Sequence, residues 1–171
     1  MSFNHKKKFG QNFLTDQNDV LERIMEVAKV SETETVLEIG PGEGALTELL
    51  LAAGKKVICV EIDRDLEKIL RRKFDNNPKF TLIMADILTV DFDTQIGEKV
   101  KVVANIPYYI TSPILFRFLY ELKNKPTEMI ILMQKEVWDR IVSKKSSVLS
   151  LFVQKKCTVF QKIFVPANYF S

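Results

Sequence analysis

The chain has 171 residues, 46% of them apolar and 27% charged, with a formal net charge of +3. That balance suits one compact domain with its own core and excludes a disordered tail. No apolar run reaches the roughly 18 residues of a membrane span. The basic start from Met1 to Lys8 lacks the apolar segment and cleavage site of a secretory signal, so a cytoplasmic protein is expected.

The single His and the two cysteines, Cys59 and Cys157, give no zinc-ligand spacing and no Ser-His-Asp or Cys-His device. Neither a metal nor a His base is expected, and both cysteines read as buried free thiols in apolar runs. Lys6, Lys7 and Lys8 cluster at one end. After Arg140 the charged residues are Lys144, Lys145, Lys155, Lys156 and Lys162, with no acid among them. Basic ends fit an anionic partner such as nucleic acid, and equally fit ordinary solubilising lysines.

In chain order, Val20, Leu21, Ile24, Val27 and Ala28 predict a helix from about Gln17 to Lys29. Thr35–Ile39 reads as a buried strand that runs into Gly40-Pro41-Gly42-Glu43-Gly44. A helix follows with Leu46, Leu49 and Leu50 on one face, stopped by Gly54. Val57–Glu61 is the next strand, and Asp63 caps a helix through about Lys73. Phe80–Met84 and Val100–Ala104 are further strands. Ser112-Pro113 has the form of a helix start, with Ser as N-cap and Pro in the first turn. Met129–Met133 reads as a strand and Gln134–Val142 as a short helix. Val148–Val153 and Val159–Val165 read as an antiparallel pair closing the sheet. The expectation is an α/β fold: a mostly parallel seven-stranded sheet with one antiparallel strand and helices on both faces.

In such a sheet ligands bind beyond the carboxyl ends of the strands. The glycine turn lies at one such end, where glycine permits a tight turn and a close ligand. A dinucleotide would set its pyrophosphate on the following helix. Glu38 and Glu43 flank the turn, Glu43 opens that helix, and the spacing departs from G-x-G-x-x-G. Carboxylates there repel a pyrophosphate and suit a sulfonium with an α-ammonium, so S-adenosylmethionine is favoured over a nicotinamide cofactor. Glu61, at a strand end, can accept both ribose hydroxyls. Asp86 can accept from an adenine amino group, with Ile62 and Ile87 on the ring faces. Asn105-Ile106-Pro107-Tyr108 follows another apolar strand. Asn105 and the Ile106 carbonyl, freed by Pro107, can accept the two hydrogens of an exocyclic amine, while Tyr108 stacks on the base. Two acceptors restore electron density to a delocalised nitrogen, and positioning can then supply much of the rate. A base within a duplex would be flipped out first.

These segments resemble a known family. Lys8-Phe9-Gly10-Gln11-Asn12-Phe13-Leu14, Leu37-Glu38-Ile39-Gly40-Pro41-Gly42, Glu61-Ile62-Asp63, Ala85-Asp86-Ile87, Asn105-Ile106-Pro107-Tyr108 and Met133-Gln134-Lys135-Glu136-Val137 are similar, in order, to the small-subunit ribosomal RNA adenine dimethyltransferases. The resemblance implies a Rossmann-like methyltransferase fold. It implies dimethylation of N6 on each of two adjacent adenosines near the 3′ end of small-subunit (16S) rRNA, with S-adenosylhomocysteine as product. It places Gln11, Asn12, Leu14, Gly40, Gly42, Glu61, Ile62, Asp86, Ile87 and Asn105 at the cofactor, and Asn105, Pro107 and Tyr108 at the adenine. It makes residues 1–30 a flap over the cofactor and residues 1–171 a catalytic domain. The implied partner is small-subunit rRNA or its precursor particle, met by a monomer away from any membrane.

Two features depart from that family. Lys144-Lys145-Ser146-Ser147 runs directly into Val148-Leu149-Ser150, where relatives have a longer loop. The family's helical C-terminal domain is expected to be missing, and a catalytic domain that binds cofactor and recognises ribosomal RNA weakly is expected. The rival readings are a large-subunit rRNA adenine methyltransferase of the macrolide-resistance type, a non-catalytic nucleic-acid-binding scaffold and a dehydrogenase. Pro41 and Gly10 disfavour the first, intact Asn105-Ile106-Pro107-Tyr108 the second, and the acidic turn the third.

Overall fold

A computed structural model describes residues 17–106, 108–143 and 148–156, apart from the side chains of Gln17, Asn18 and Tyr108. Gln11, Asn12, Leu14, Pro107, Cys157 and the expected strand Val159–Val165 lie outside the described residues.

The strands are β1 (Thr35–Ile39), β2 (Lys56–Glu61), β3 (Phe80–Met84), β4 (Lys101–Asn105) and β5 (Glu128–Leu132). They form one sheet in the order β3-β2-β1-β4-β5, and every pairing is parallel. Side chains alternate between faces with period two. Leu37, Ile39, Ile58, Val60, Val102 and Ala104 face one core layer, while Val36, Val57, Cys59 and Val103 face the other. The helices α1 (Gln17–Ala28), α2 (Ala45–Ala53) and α3 (Arg64–Phe74) supply the second layer through Leu21, Leu50 and Leu70. The first layer is covered by α4 (Phe92–Gln95) and α5 (Tyr108–Phe116), which continues as a π-helical turn, Arg117–Glu121. Helices α6 (Lys135–Val142) and α7 (Val148–Lys156) build a third cluster with Leu115 and Leu119.

The described residues hold five parallel strands, and one of the predicted strands is corrected. Val148–Val153 is part of helix α7. Its buried residues, Leu149, Ser150 and Val153, have helical spacing, and Gln154 Nε2 donates to Ser150 Oγ at 2.9 Å across one turn. The outward Val148, Leu151 and Phe152 are apolar too, which hides that period in the sequence.

Ser112 is not a cap either, because α5 begins at Tyr108 and carries Pro113 inside it. An N-cap is worth about 1 kcal/mol, and a fully buried apolar side chain about 1.5–3 kcal/mol. The longer helix sets Thr111, Ile114 and Phe118 on one fully buried stripe, at the loss of the intrahelical bond that the proline nitrogen cannot make. Packing therefore outweighs the local signal.

At the amino end of β4, Lys101 is buried in an ionic cluster. Its Nζ donates to the Ala28 carbonyl at 2.8 Å, closing α1, and pairs with Glu34 at 2.9 Å and Glu128 at 3.3 Å.

Gly44, the N-cap of α2, has φ +88°, and a Cβ there would lie 2.4 Å from the Phe74 ring of α3. Left-handed strain and overpacking each cost on the order of 1–3 kcal/mol. Gly44→Ala is expected to lower stability by about 2–4 kcal/mol, measured by urea unfolding followed by circular dichroism. A loss under about 0.5 kcal/mol would show that α2 and α3 are not pressed together at this point.

Candidate active site

Strand order reverses between β1 and β4, so the crevice of the sheet opens at their carboxyl ends. The register pairs Ile39 with both Val60 and Ala104. One residue further, Gly40 stands between Glu61 of β2 and Asn105 of β4. Met84 pairs with Glu61 and Leu132 with Asn105, completing the rim. Gly40 has φ +68°, and a Cβ on it would come 3.9 Å from the Asn105 carbonyl. Gly42 is also left-handed, at φ +59°. Here the glycines supply the turn, and a missing side chain keeps the middle of the rim open.

Glu61 is buried at the tip of β2. Its Oε1 accepts from the Ile62 and Asp63 backbone N–H groups, both at 2.8 Å. Its Oε2 accepts from Gly42 N–H at a long 3.4 Å. Burial holds the carboxyl above its ordinary pKa, and the backbone donors partly offset this. Oε1 is thus fixed in orientation, while Oε2 is weakly committed. Ile62 beside it is 48% exposed and presents an apolar face to solvent.

Asp86 follows β3, on a partly buried turn. Its Oδ1 accepts from Leu88 N–H at 2.9 Å, and its carbonyl accepts from Thr89 and Val90 N–H at 2.8 and 3.2 Å. Ile87 is 5% exposed and belongs to the core, so in this structure Ile62 is the open one of the two residues expected around an adenine. Asn105 is partly buried at the end of β4, and Ile106 N–H donates to the Leu132 carbonyl at 3.3 Å.

Two readings of the turn change. Glu43 does not open α2, which starts at Ala45 behind Gly44; Glu43 is exposed, and its carbonyl accepts from Lys73 Nζ at 2.7 Å. Glu38 flanks the turn in sequence, but its carboxylate does not line the turn's open side. It is buried beneath it, accepting from the Thr47 hydroxyl at 2.7 Å and the Cys59 thiol at 3.3 Å. Burial raises its pKa to about 7, with the Thr47 and Cys59 bonds opposing and the Glu61 charge adding to the rise. Burial, then the Glu38 charge, pushes the Cys59 thiol up, so this is no reactive thiolate.

In the sequence Cys59 reads as an inert core residue and Thr47 as an ordinary helix position. The usable signal was face parity, since Glu38 and Cys59 point the same way on neighbouring strands.

Among the described residues no helix is long and apolar enough to cross a membrane, and no group of three His, Cys, Asp or Glu side chains could hold a metal.

A family model described as ribosomal RNA adenine dimethylase matches residues 2–171. A ribosomal RNA small subunit methyltransferase A from Fusobacterium nucleatum is 45% identical over all of the chain, which spans 66% of that relative's length. Among solved structures, a dimethyladenosine transferase from Plasmodium falciparum is 29% identical, with a TM-score of 0.71 over 83% of this chain and 52% of that one. The 23S rRNA methyltransferase ErmE is 36% identical, with a TM-score of 0.65 over 75% of this chain and 50% of that one.

The buried Glu38 carboxyl yields a pH prediction. Its folded pKa, about 7, lies above the ordinary 4.5, so the stability tied to its protonated form is complete below pH 4.5 and is lost as pH rises through 7. Glu38→Gln removes that dependence. Relative to wild type, the variant is expected to gain up to roughly 3 kcal/mol between pH 5 and pH 8. Paired thermal melts at the two pH values measure the change, whatever constant offset the amide brings. A difference that stays flat or reverses would mean that Glu38 is ionised throughout.

Proposed function

The chain belongs to the ribosomal RNA adenine dimethylase family, and from that membership we propose that it transfers methyl groups from S-adenosylmethionine to N6 of two adjacent adenosines near the 3′ end of small-subunit (16S) rRNA. The observation that carries this reading is the rim, where Gly40 separates the Glu61 carboxylate from Asn105 at the point of strand reversal. The small-subunit substrate is preferred because the relative of that name matches the whole chain at 45% identity, against 36% over 75% for the 23S rRNA enzyme.

The residues fit such a donor. Glu61 Oε2, held among the described residues only by the long Gly42 bond, can turn to a ribose hydroxyl, the better-placed donor. The exposed Ile62 packs one face of the adenine, and Ile87 reaches the other from the core edge. Asp86 keeps its second carboxylate oxygen for the adenine amino group, since Oδ1 is taken by Leu88. The left-handed backbone at Gly40 and Gly42 lets the amino-acid end of the donor pass close to the chain. Bound there, S-adenosylmethionine supplies an electrophilic methyl group on a cationic sulfur. Glu38, beneath the same turn, titrates near neutrality, so a nearby cation favours its ionised form.

Across the crevice, the Asn105 amide oxygen accepts one hydrogen of the target N6 amine. The Ile106 carbonyl accepts the other. Together they direct the nitrogen lone pair at the methyl group, and no strong base is needed. Pro107 and the Tyr108 ring enter this reading from the sequence alone, as do Gln11, Asn12 and Leu14 at the cofactor. The protein acts on pre-small-subunit particles as a monomer in the cytoplasm.

Asn105→Ala tests the assignment. Turnover on small-subunit particles, followed with a tritiated methyl group, is expected to fall about 100-fold. Donor affinity by calorimetry is expected to change by less than about tenfold, because the ribose and adenine contacts remain. Equal losses in both would reassign Asn105 to donor binding. Wild-type protein that labels large-subunit particles instead would overturn the substrate.

A further inference from the structure

Arg117 is a charged residue in the otherwise apolar run from Pro113 to Tyr120, and its side chain is only 19% exposed. It opens the π-helical turn that continues α5. Its guanidinium crosses to the loop after β3, where Nη1 donates to the Leu88 carbonyl and Nη2 to the Val90 carbonyl at 2.5 Å. The group lies 5.7 Å from the Phe92 ring centre and 4.0 Å from Glu121, with Asp91 also nearby. Its Nε is buried and has no hydrogen-bond partner among the described residues.

A filler of this space could be apolar. A guanidinium with an orphaned N–H is a costly choice unless its two bonds matter. Those bonds end on two of the three residues that hold Asp86, Thr89 being the third. Leu88 gives its N–H to the Asp86 carboxylate and its carbonyl to Arg117. Val90 gives its N–H to the Asp86 carbonyl and its carbonyl to Arg117. The loop is therefore a short bridge with Asp86 at one end and the guanidinium at the other. Arg117 itself rides on the helical segment that begins just after Asn105 and Ile106.

We propose that Arg117 is a positioning residue, which fixes the Leu88 and Val90 peptides so that the Asp86 carboxylate meets the amino group of the donor's adenine. This deepens the reading of the pocket given above and rests on it. The bidentate fork also joins the donor's adenine loop to the helix that follows the target-base corner, so both halves of the site share one brace.

The test is discrimination, not affinity alone. S-Adenosylhomocysteine and S-inosylhomocysteine differ at the group that Asp86 is placed to read. Calorimetry on the wild-type chain is expected to favour the adenosine compound by at least about tenfold, and Asp86→Ala to bring the ratio near one. Arg117→Met keeps the bulk and removes the donors, and its ratio is expected to fall most of the way to that of Asp86→Ala. Arg117→Lys, which keeps the charge without the fork, should fall between, and it carries the test if the Met variant does not fold. Affinities for both compounds that drop together, with the ratio kept, would make Arg117 merely structural and overturn the inference. A wild-type chain that binds neither compound overturns the pocket reading itself, a different failure from a preserved ratio in the variants.

Discussion

The reversal of strand order between β1 and β4 is the constraint on which the rest of the molecule depends. Parallel strands on either side of it send their connections to opposite faces of the sheet. The backbone therefore parts at the carboxyl ends and leaves a crevice there. Gly40 sits at that parting with no side chain, and register alone sets Glu61 on one flank and Asn105 on the other. No loop has to be held in an improbable shape to bring an acid and an amide to the same rim. Chemistry that needs a donor pocket beside an acceptor corner is supplied by the order in which the strands pair.

Parity does the remaining work. Glu38, Cys59, Glu61 and Asn105 all point towards the α1–α3 side, because each occupies an alternate position on its strand. Burial makes both carboxyls resist ionisation, and the Glu61 charge adds a little to the rise at Glu38. That is a poor arrangement for stability alone. Backbone donors restrain Glu61, and Thr47 with Cys59 restrains Glu38, yet the burial cost outweighs these bonds in both cases. Retained acids beneath a glycine turn are what a cationic ligand would require. At the other end of the sheet the ionic cluster of Lys101 has its charges paired, in keeping with a structural role.

How far the sequence carries this far depends on which signal was local. All five strands were legible to within one residue at each end, since buried parallel strands are short apolar runs between turn residues. Asp63 was legible as a cap because its carboxylate acts two residues away, on Asp65 N–H at 3.0 Å. The failures share a cause. In α7 the outward residues are as apolar as the inward ones, so periodicity was invisible. At Ser112-Pro113 a strong local preference lost to packing that only the folded sheet defines. Of the candidate site, Gly40, Glu61, Asp86 and Asn105 were legible because strand ends locate them. The Glu38–Cys59 contact follows from face parity once the strands are paired, whereas Thr47–Glu38 and Arg117–Leu88 join residues 9 and 29 positions apart through space with no local pattern to encode them.

The π-helical turn at Arg117–Glu121 has an evolutionary corollary. Such a turn holds one residue more than the α-helix around it. Across it, Phe118 and Leu119 divide between the same two core clusters as Ile114 and Leu115 one turn earlier. Loss of a single codon in this stretch would not simply shorten the chain. With its extra residue gone, the wide turn closes to an ordinary α-helical turn and hands the chain on in nearly the same phase. What such a loss removes is the local widening itself, and with it the spacing that seats Arg117 against the Leu88 and Val90 carbonyls.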